Sequence, residues 1–270
     1  MVSAHQHTLA GLAVIGIALL VPGFASAQTH LMSPTSTVVG TDQATLSQQW
    51  WNWATSYTPA ENPINDATGA FASKGDQGAY FFLAGSGSTN PVVRSVTLRN
   101  DQTLYFPLFN VVDGYTDEQI ARFELTETAI RTEAINLLGN VNGLFLTLAG
   151  GPVGMPAGAA NLLAFRQPTG KFDLVLPTDD NLFGGPDFGA PAGTYRAFSD
   201  GYWVALSPFQ NGSYELHFGG ATERTGPFAG SSFSQDISYQ ITVVPEPATV
   251  VTLLFGLAVV AGLVGQRRAG

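Results

Sequence analysis

The side chains able to act as nucleophiles or acid–base catalysts are few in this sequence. Cysteine is absent, and only His30 and His217 of the four histidines lie beyond the first 27 residues. His217 falls in the strand-like stretch YELHF, where a single histidine is typical of a structural or surface residue. Because no Gly-x-Ser-x-Gly motif occurs, a Ser-His-Asp triad is poorly supported. The missing cysteine excludes thiol catalysis and every zinc site that needs a thiolate.

Carboxylates are the remaining candidates for catalysis, because a glycosidase needs only two of them opposed across a cleft. The candidates on predicted loops are Asp66, Asp113, Asp179, Asp180, Asp187 and Asp200. Aspartate beside glycine or asparagine also favours turns, and we prefer that interpretation. The stretch LPTDDNLFGGPDF is a weaker calcium candidate, with oxygen ligands from Asp179, Asp180, Asn181 and Asp187. Its spacing matches no known calcium loop, so we prefer a solvated turn and predict neither a metal nor a cofactor.

Aromatic side chains offer a different chemistry, the stacking of sugar rings. The segment TDQATLSQQWWNWATSY, residues 41–57, has apolar side chains at the spacing of one helical face. That face holds Leu46, Trp50, Trp53 and Tyr57, so we predict Trp50 and Trp53 to be buried. Trp51 points elsewhere and is expected to be more exposed. In a hypothesis of a glycan-binding module, the predicted glycan contacts are Trp51, Tyr202 and Trp203.

The elements that position these residues are mostly strands. Alternating or apolar runs predict strands over 80–84, 92–98, 103–109, 144–148, 172–176, 194–198, 202–206, 214–218 and 233–243. Asn100-Asp101 and Asn211-Gly212 predict hairpin turns. One helix is predicted over 41–57 and another from the capping box at Thr116 to Leu138. We therefore predict a mainly β body, an antiparallel β-sandwich of jelly-roll or Greek-key type with two helices.

The charge of the chain excludes one class of partner. Lys and Arg number 11 against 20 Asp and Glu, a net charge of −9, which becomes about −11 without Arg267 and Arg268. Binding of nucleic acid by counterion release requires clustered Lys and Arg, so nucleic acid is not an expected partner. The absence of cysteine also excludes a disulfide scaffold, and the core must supply the stability.

The N-terminal end has the pattern of an export signal, with a permanent N-terminal anchor as the less favoured alternative. Residues 9–21 are apolar and are followed by Ala25-Ser26-Ala27, a small-residue site for signal peptidase. We therefore predict a signal peptide over 1–27, cleaved before Gln28.

The C-terminal end consists of three parts. Pro245-Glu246-Pro247 precedes an apolar run over 248–265, which Arg267 and Arg268 follow. As a helix this run covers roughly 27 Å, close to the hydrocarbon thickness of a bilayer. We predict a transmembrane helix over 248–265, with the arginine pair as its cytoplasmic anchor. The two prolines favour an extended segment, a conformation that a protease can bind.

These three parts, in this order from Val244 to Arg268, resemble the PEP-CTERM sorting tail of Gram-negative bacteria. The resemblance implies recognition by an exosortase, a membrane transpeptidase-like enzyme that cleaves near Pro245-Glu246-Pro247 and releases or transfers the body. It also implies a precursor tethered to the inner membrane and a bacterium that makes exopolysaccharide. The predicted domains are a signal peptide over 1–27, a body over 28–243 and a sorting tail over 244–270.

The body resembles a family of exported bacterial proteins of unknown function. The resemblance rests on WNWATSYTPAENPINDATG (51–69), QGAYFFLAGS (77–86), LYFPLFN (104–110) and SDGYWVALSPF (199–209). It implies no activity, and the cysteines that this family often carries near Ala72 and Val96 are missing. The preferred hypothesis is an exported non-enzymatic protein, sorted to the cell surface or to the exopolysaccharide matrix of a biofilm. Its expected partners are exosortase, signal peptidase, the export machinery, the inner membrane and, as a candidate, exopolysaccharide.

Overall fold

The computed structural model describes residues 31–149, 161–185 and 188–246. Outside them lie the predicted signal peptide, His30, Asp187, Pro247, the predicted transmembrane helix, Arg267 and Arg268. Among the described residues, no helix has the length and apolar character needed to cross a membrane. The helices are α1 (Gln43–Thr55), α2 (Asp117–Phe123) and α3 (Glu127–Leu138). The strands are β1 (Tyr80–Phe82), β2 (Val92–Arg99), β3 (Thr103–Tyr115), β4 (Asn140–Ala149), β5 (Phe172–Leu176), β6 (Gly193–Leu206), β7 (Gly212–Glu223) and β8 (Ser232–Val244).

The described strands form two sheets of four strands each. Sheet I has the order β1-β3-β6-β5, and sheet II has the order β2-β8-β7-β4. Most neighbouring strands are antiparallel, but β1 runs parallel to β3 and β2 runs parallel to β8. The predicted mainly β class is therefore confirmed, whereas the prediction that the sheets are wholly antiparallel is wrong.

Two turns that the sequence assigns to hairpins carry the chain from one sheet to the other. Asn100-Asp101 joins β2 of sheet II to β3 of sheet I. Asn211 ends the connection from β6 of sheet I, and Gly212 is the first residue of β7 in sheet II. The Asn100 N–H donates instead to the Val244 carbonyl oxygen, at 2.9 Å. Both hairpin predictions are wrong, because a turn sequence fixes where the chain reverses and not which strand lies beside it.

Sheet I is the middle one of three layers. One apolar cluster lies between the two sheets, and a second lies between sheet I and α1. Consequently the central strand β6 is buried on both faces, whereas β8 of sheet II alternates between core and solvent. In β8, Ile237, Tyr239 and Ile241 are buried and Gln240 is exposed, as predicted, while Ser238 is half-buried.

The helices follow the predicted start signals but not all of the predicted lengths. The Asp42 carboxylate accepts a hydrogen bond from the Thr45 N–H at 2.9 Å and caps α1. The second predicted helix is two helices, because Glu124 adopts a left-handed backbone (φ 51°) that ends α2 and Thr126 caps α3. Predicted strands over 194–198 and 202–206 are one continuous strand, β6. The described residues contain three α-helices and eight strands, whereas the sequence predicts two helices and about nine strands.

Candidate functional site

The three tryptophans of α1 are each anchored through the indole N–H. The acceptors, at 2.8 to 2.9 Å, are the carbonyl oxygens of Leu83 for Trp50 and Lys74 for Trp53, and Ser199 Oγ for Trp51. Trp51 is 7% exposed, the same fraction as Trp53. The prediction that Trp51 is more exposed is wrong, because the β5–β6 connection covers this side of α1. Phe183 of that connection lies 6.2 Å from Trp51, measured between ring centroids.

The other two predicted glycan contacts are buried in β6. Tyr202 belongs to the cluster between the sheets and is 7% exposed. Trp203 is fully buried beneath α1 and stacks on Tyr105, with ring centroids 5.5 Å apart. Neither ring offers a free face to a sugar, and of the three predicted contacts only Trp51 lines a cavity described below.

A cavity beside Trp51 is the main candidate site. It has a volume of about 410 Å³ and lies where α1, β3 and the connections β5–β6 and β7–β8 meet. Its aromatic walls are formed by Trp50, Trp51, Phe109, Phe183, Phe188 and Phe233. Small-molecule sites have volumes of about 300–1,000 Å³ and mostly apolar walls with a few polar groups. The size and walls of this cavity fit that description.

Two polar side chains at this cavity lack a partner among the described residues. Asn110 Nδ2 and Arg224 Nε are buried atoms without a hydrogen bond. Both atoms are donors, and none of the described residues that line the cavity is Asp or Glu. An unsatisfied buried donor costs about 1–3 kcal/mol. A ligand that accepts hydrogen bonds here would remove that cost.

The backbone holds both of these residues in place. Asn110 follows a bulge in the β3–β6 ladder and pairs with Gly201. A Cβ atom at Gly201 would lie 2.7 Å from the Asn110 Cβ, so glycine leaves room for the asparagine. Arg224 follows β7, and its N–H donates to the Ser231 carbonyl oxygen at 3.0 Å, which closes the β7–β8 connection.

A buried arginine joins two segments of the cavity wall. Arg94 is 1% exposed and donates five hydrogen bonds to uncharged oxygens. The acceptors are the carbonyl oxygens of Ile64, Asp66, Ala84 and Gly85 and the Tyr239 hydroxyl. Residues 64–65 and 85–87 line the cavity. Arg94 therefore holds together two stretches of chain on which the shape of the cavity depends.

The carboxylates considered for catalysis mostly stabilise turns or form ion pairs. Asp66 accepts from the N–H groups of Thr68 and Phe71, and Asp179 accepts from the N–H of Ala192. Asp200 is 3% exposed, and Arg166 holds both of its oxygens at 2.6 to 3.2 Å.

The predicted calcium ligands fall in the β5–β6 connection. The buried Asn181 amide donates to the carbonyl oxygens of Thr178 and Ala190, and so organises the turn. Asp180 is exposed. In the described ranges, no group of three or more His, Cys, Asp or Glu side chains could hold a metal ion. The solvated turn stays the preferred interpretation.

Asp113 and Glu133 form a close carboxyl pair beside a second cavity of about 250 Å³. Burial, and then the neighbouring Glu133, raise the pKa of Asp113 to about 7. The Tyr115 hydroxyl donates to Glu133 Oε2 at 2.7 Å. Neighbouring carboxyl groups disfavour a second negative charge, so a proton is retained near neutral pH. Asp113 Oδ2 is buried and has no hydrogen-bond partner among the described residues.

We expect Asp113 to lower the stability of the body as the pH rises. Its pKa is about 7 in the folded protein against an ordinary value of 3.8. The stabilising contribution is therefore complete below the lower value and is lost as the pH rises through the higher one. Between about pH 5 and about pH 8, the melting temperature should fall more for the wild type than for Asp113→Asn. Asp180→Asn is the exposed control, and an equal fall in all three proteins would contradict the raised pKa.

The described part of the predicted sorting motif leaves the body directly from β8. Val244, the last residue of β8, pairs with Arg99 of β2, and its carbonyl oxygen accepts from the Asn100 N–H at 2.9 Å. Asn100 Oδ1 in turn accepts from the Glu246 N–H at 3.2 Å. Pro245 and Glu246 are exposed. The motif thus begins at the edge of the folded body, without an intervening linker.

Comparison with known families identifies this tail. Residues 243–268 match the family model of the PEP-CTERM protein-sorting motif. The chain therefore carries a PEP-CTERM sorting domain, as the sequence predicts. The motif marks an exported protein whose membrane-anchored precursor is processed by an exosortase. The resemblance of the body to uncharacterised exported proteins stays a prediction.

Other comparisons add no argument about the body. No curated protein matches the chain. The solved structure described as PbICP-C in complex with falcipain-2 is similar at 13% identity, over 62% of this chain and 100% of that chain, with a TM-score of 0.21. The solution structure of Amebosin is similar at 9% identity, over 57% of this chain and 96% of that chain, with a TM-score of 0.17. TM-scores this low establish no common fold.

The sequence patterns single out neither of the two residues with unpartnered donors at the main cavity, Asn110 and Arg224. For Asn110 a signal exists, because it is a polar residue at the end of the apolar run LYFPLFN. For Arg224 the signal is weaker, a basic residue in an acidic body. Neither pattern shows that the two side chains reach one cavity.

Proposed function

We propose that this is a non-enzymatic protein, exported from a Gram-negative bacterium and sorted by exosortase to the cell surface or the exopolysaccharide matrix. The observation that supports the proposal is the sorting junction, where β8 passes directly into the matched motif and exposes Pro245 and Glu246. Cleavage after these residues would leave every strand of the described body intact. The signal peptide over 1–27 would provide the route of export.

We expect the mature protein to lack residues at both ends, before Gln28 and after the Pro-Glu-Pro region. Replacing Glu246 by alanine should leave the full tail attached in the inner membrane, because the enzyme would lose the acidic group between two prolines. Glu215→Ala, an exposed change on β7, is the matched control and should be processed normally. Intact-mass measurement distinguishes the forms. Wild-type protein that keeps Arg267 and Arg268 in cells with an exosortase would show that the tail is only an anchor.

A glycan-binding module is the second candidate function, and the 410 Å³ cavity favours it. Trp50 and Trp51 line this cavity, so aromatic rings meet a concave space large enough for a small ligand. Exopolysaccharide would then be the partner of the body, and binding of oligosaccharides tests this function. A glycan-cleaving enzyme is the weaker alternative, since Asp66 and Asp179 stabilise turns and Asp200 is paired with Arg166.

A further inference from the structure

We infer that the 410 Å³ cavity binds a ligand whose carboxylate is attached to a six-membered ring, with Arg224 and Asn110 as the contacts of the carboxylate. The inference rests on the binding function proposed above for the same cavity. Three properties of the cavity support it: its charge, its unpartnered donors and its aromatic walls.

The charge of the cavity favours an anion. Arg224 is the one charged side chain among the described residues that line it. No salt bridge within the described ranges includes Arg224, although Arg166 and Arg196 elsewhere on the body are each paired with aspartate. A guanidinium stays charged in proteins, so within the described part of the chain this positive charge has no carboxylate partner and could be paired by an anionic ligand.

The two unpartnered atoms specify how that anion is held. Arg224 Nε and Asn110 Nδ2 both donate, so the ligand must accept from both. A carboxylate does so well, because arginine binds it through parallel hydrogen bonds and an amide can add a further one. A neutral hydroxyl has two lone pairs and could accept from both donors, but it brings no negative charge to pair with Arg224.

The aromatic walls indicate what carries the carboxylate. Phe183 lies between Trp51 and Phe188, with ring centroids 6.2 and 5.6 Å away. Phe188 is 71% exposed, and a ring seated in the cavity would cover part of its apolar surface. Two kinds of ring carboxylate share this chemistry, a uronic acid sugar and an aromatic acid.

Titration of the full chain, purified in detergent, tests the inference. Trp50 and Trp51 line the cavity, so their fluorescence should report binding, with calorimetry as a second measurement. The probes are a galacturonate oligomer, a neutral galactose oligomer of equal length, benzoate and inorganic phosphate. We expect the galacturonate oligomer to bind more tightly than the neutral one.

Variants of Arg224 separate charge from geometry. Arg224→Gln should weaken galacturonate binding at least about tenfold, as expected when a charge-assisted hydrogen bond is lost. Arg224→Lys should have an intermediate effect, because it keeps the charge but not the fork of donors. Arg122→Gln, an exposed change on α2, should bind as the wild type does. Melting temperatures show whether each variant is folded.

The outcomes distinguish this inference from the function on which it rests. Equal affinity for the acidic and neutral oligomers, unchanged in Arg224→Gln, would overturn the carboxylate site and keep glycan binding. Arg224-dependent binding of benzoate without binding of galacturonate would keep the carboxylate site and overturn glycan binding. Phosphate binding as tight as that of the ring carboxylates would overturn recognition of the ring. No binding of any probe at millimolar concentration would overturn both.

Discussion

Replacing Arg94 by methionine should destabilise the body by at least about 3 kcal/mol. The change leaves several buried acceptors without a donor, and each unsatisfied acceptor costs about 1–3 kcal/mol of stability. Arg94 is almost fully buried and donates five hydrogen bonds. Methionine fills a similar volume but donates none of them. For a body of this size, the melting temperature should fall by about 6–12 °C.

Arg99→Met on the same strand is the matched control. Arg99 is partly exposed and pairs with Asp76 and Asp101, and exposed ion pairs contribute only about 0–1 kcal/mol. Denaturant unfolding of both variants gives the two free energies of unfolding. If Arg94→Met lost no more stability than Arg99→Met, the hydrogen bonds of Arg94 would not stabilise the fold.

Trp50→Ala should cost about 3–5 kcal/mol, as truncation of a large core side chain does. Trp50 is 1% exposed, and its ring centroid lies 5.1 to 5.6 Å from those of Trp51, Trp53 and Trp203. The change removes this packing and leaves the Leu83 carbonyl oxygen without its donor. Trp53→Ala should cost a similar amount, since it too is buried and hydrogen-bonded.

The control for the tryptophans is Phe123→Ala, because Phe123 is 55% exposed at the end of α2. Surface changes of this kind usually alter stability by less than about 0.5 kcal/mol. Thermal unfolding followed by circular dichroism compares the three variants. A melting temperature unchanged by Trp50→Ala would contradict the assignment of Trp50 to the core.

Local sequence patterns predict the elements whose surroundings are simple. Strand β8 has water on one face and the core on the other, so its alternation predicts both its existence and its buried face. Helix α1 starts at a capping aspartate that acts on the next turn. The sorting motif is contiguous, and the sequence therefore identifies it without any knowledge of the fold.

Local sequence patterns do not predict features that depend on contacts between segments far apart in the chain. Asn100-Asp101 has the same turn residues whether the flanking strands pair or separate, and the pairing of β2 with β8 is decided by contacts far along the chain. Trp51 is buried because the β5–β6 connection, which is far from α1 in the sequence, covers that helix. Arg224 and Asn110 come to one cavity only after β7 and β3 have taken their places in different sheets.

The position of β8 has a mechanical consequence for a body held by its tail. Residues 237–244 are bonded to β2 on one side, and residues 232–243 are bonded to β7 on the other. A pull on the C-terminal end acts along these strands, whereas hydrogen bonds in antiparallel ladders run across them. Such a load acts in shear, so many hydrogen bonds resist it together. They do not open one after another. While the tail is anchored, a force on the body should therefore load both ladders of β8 at once.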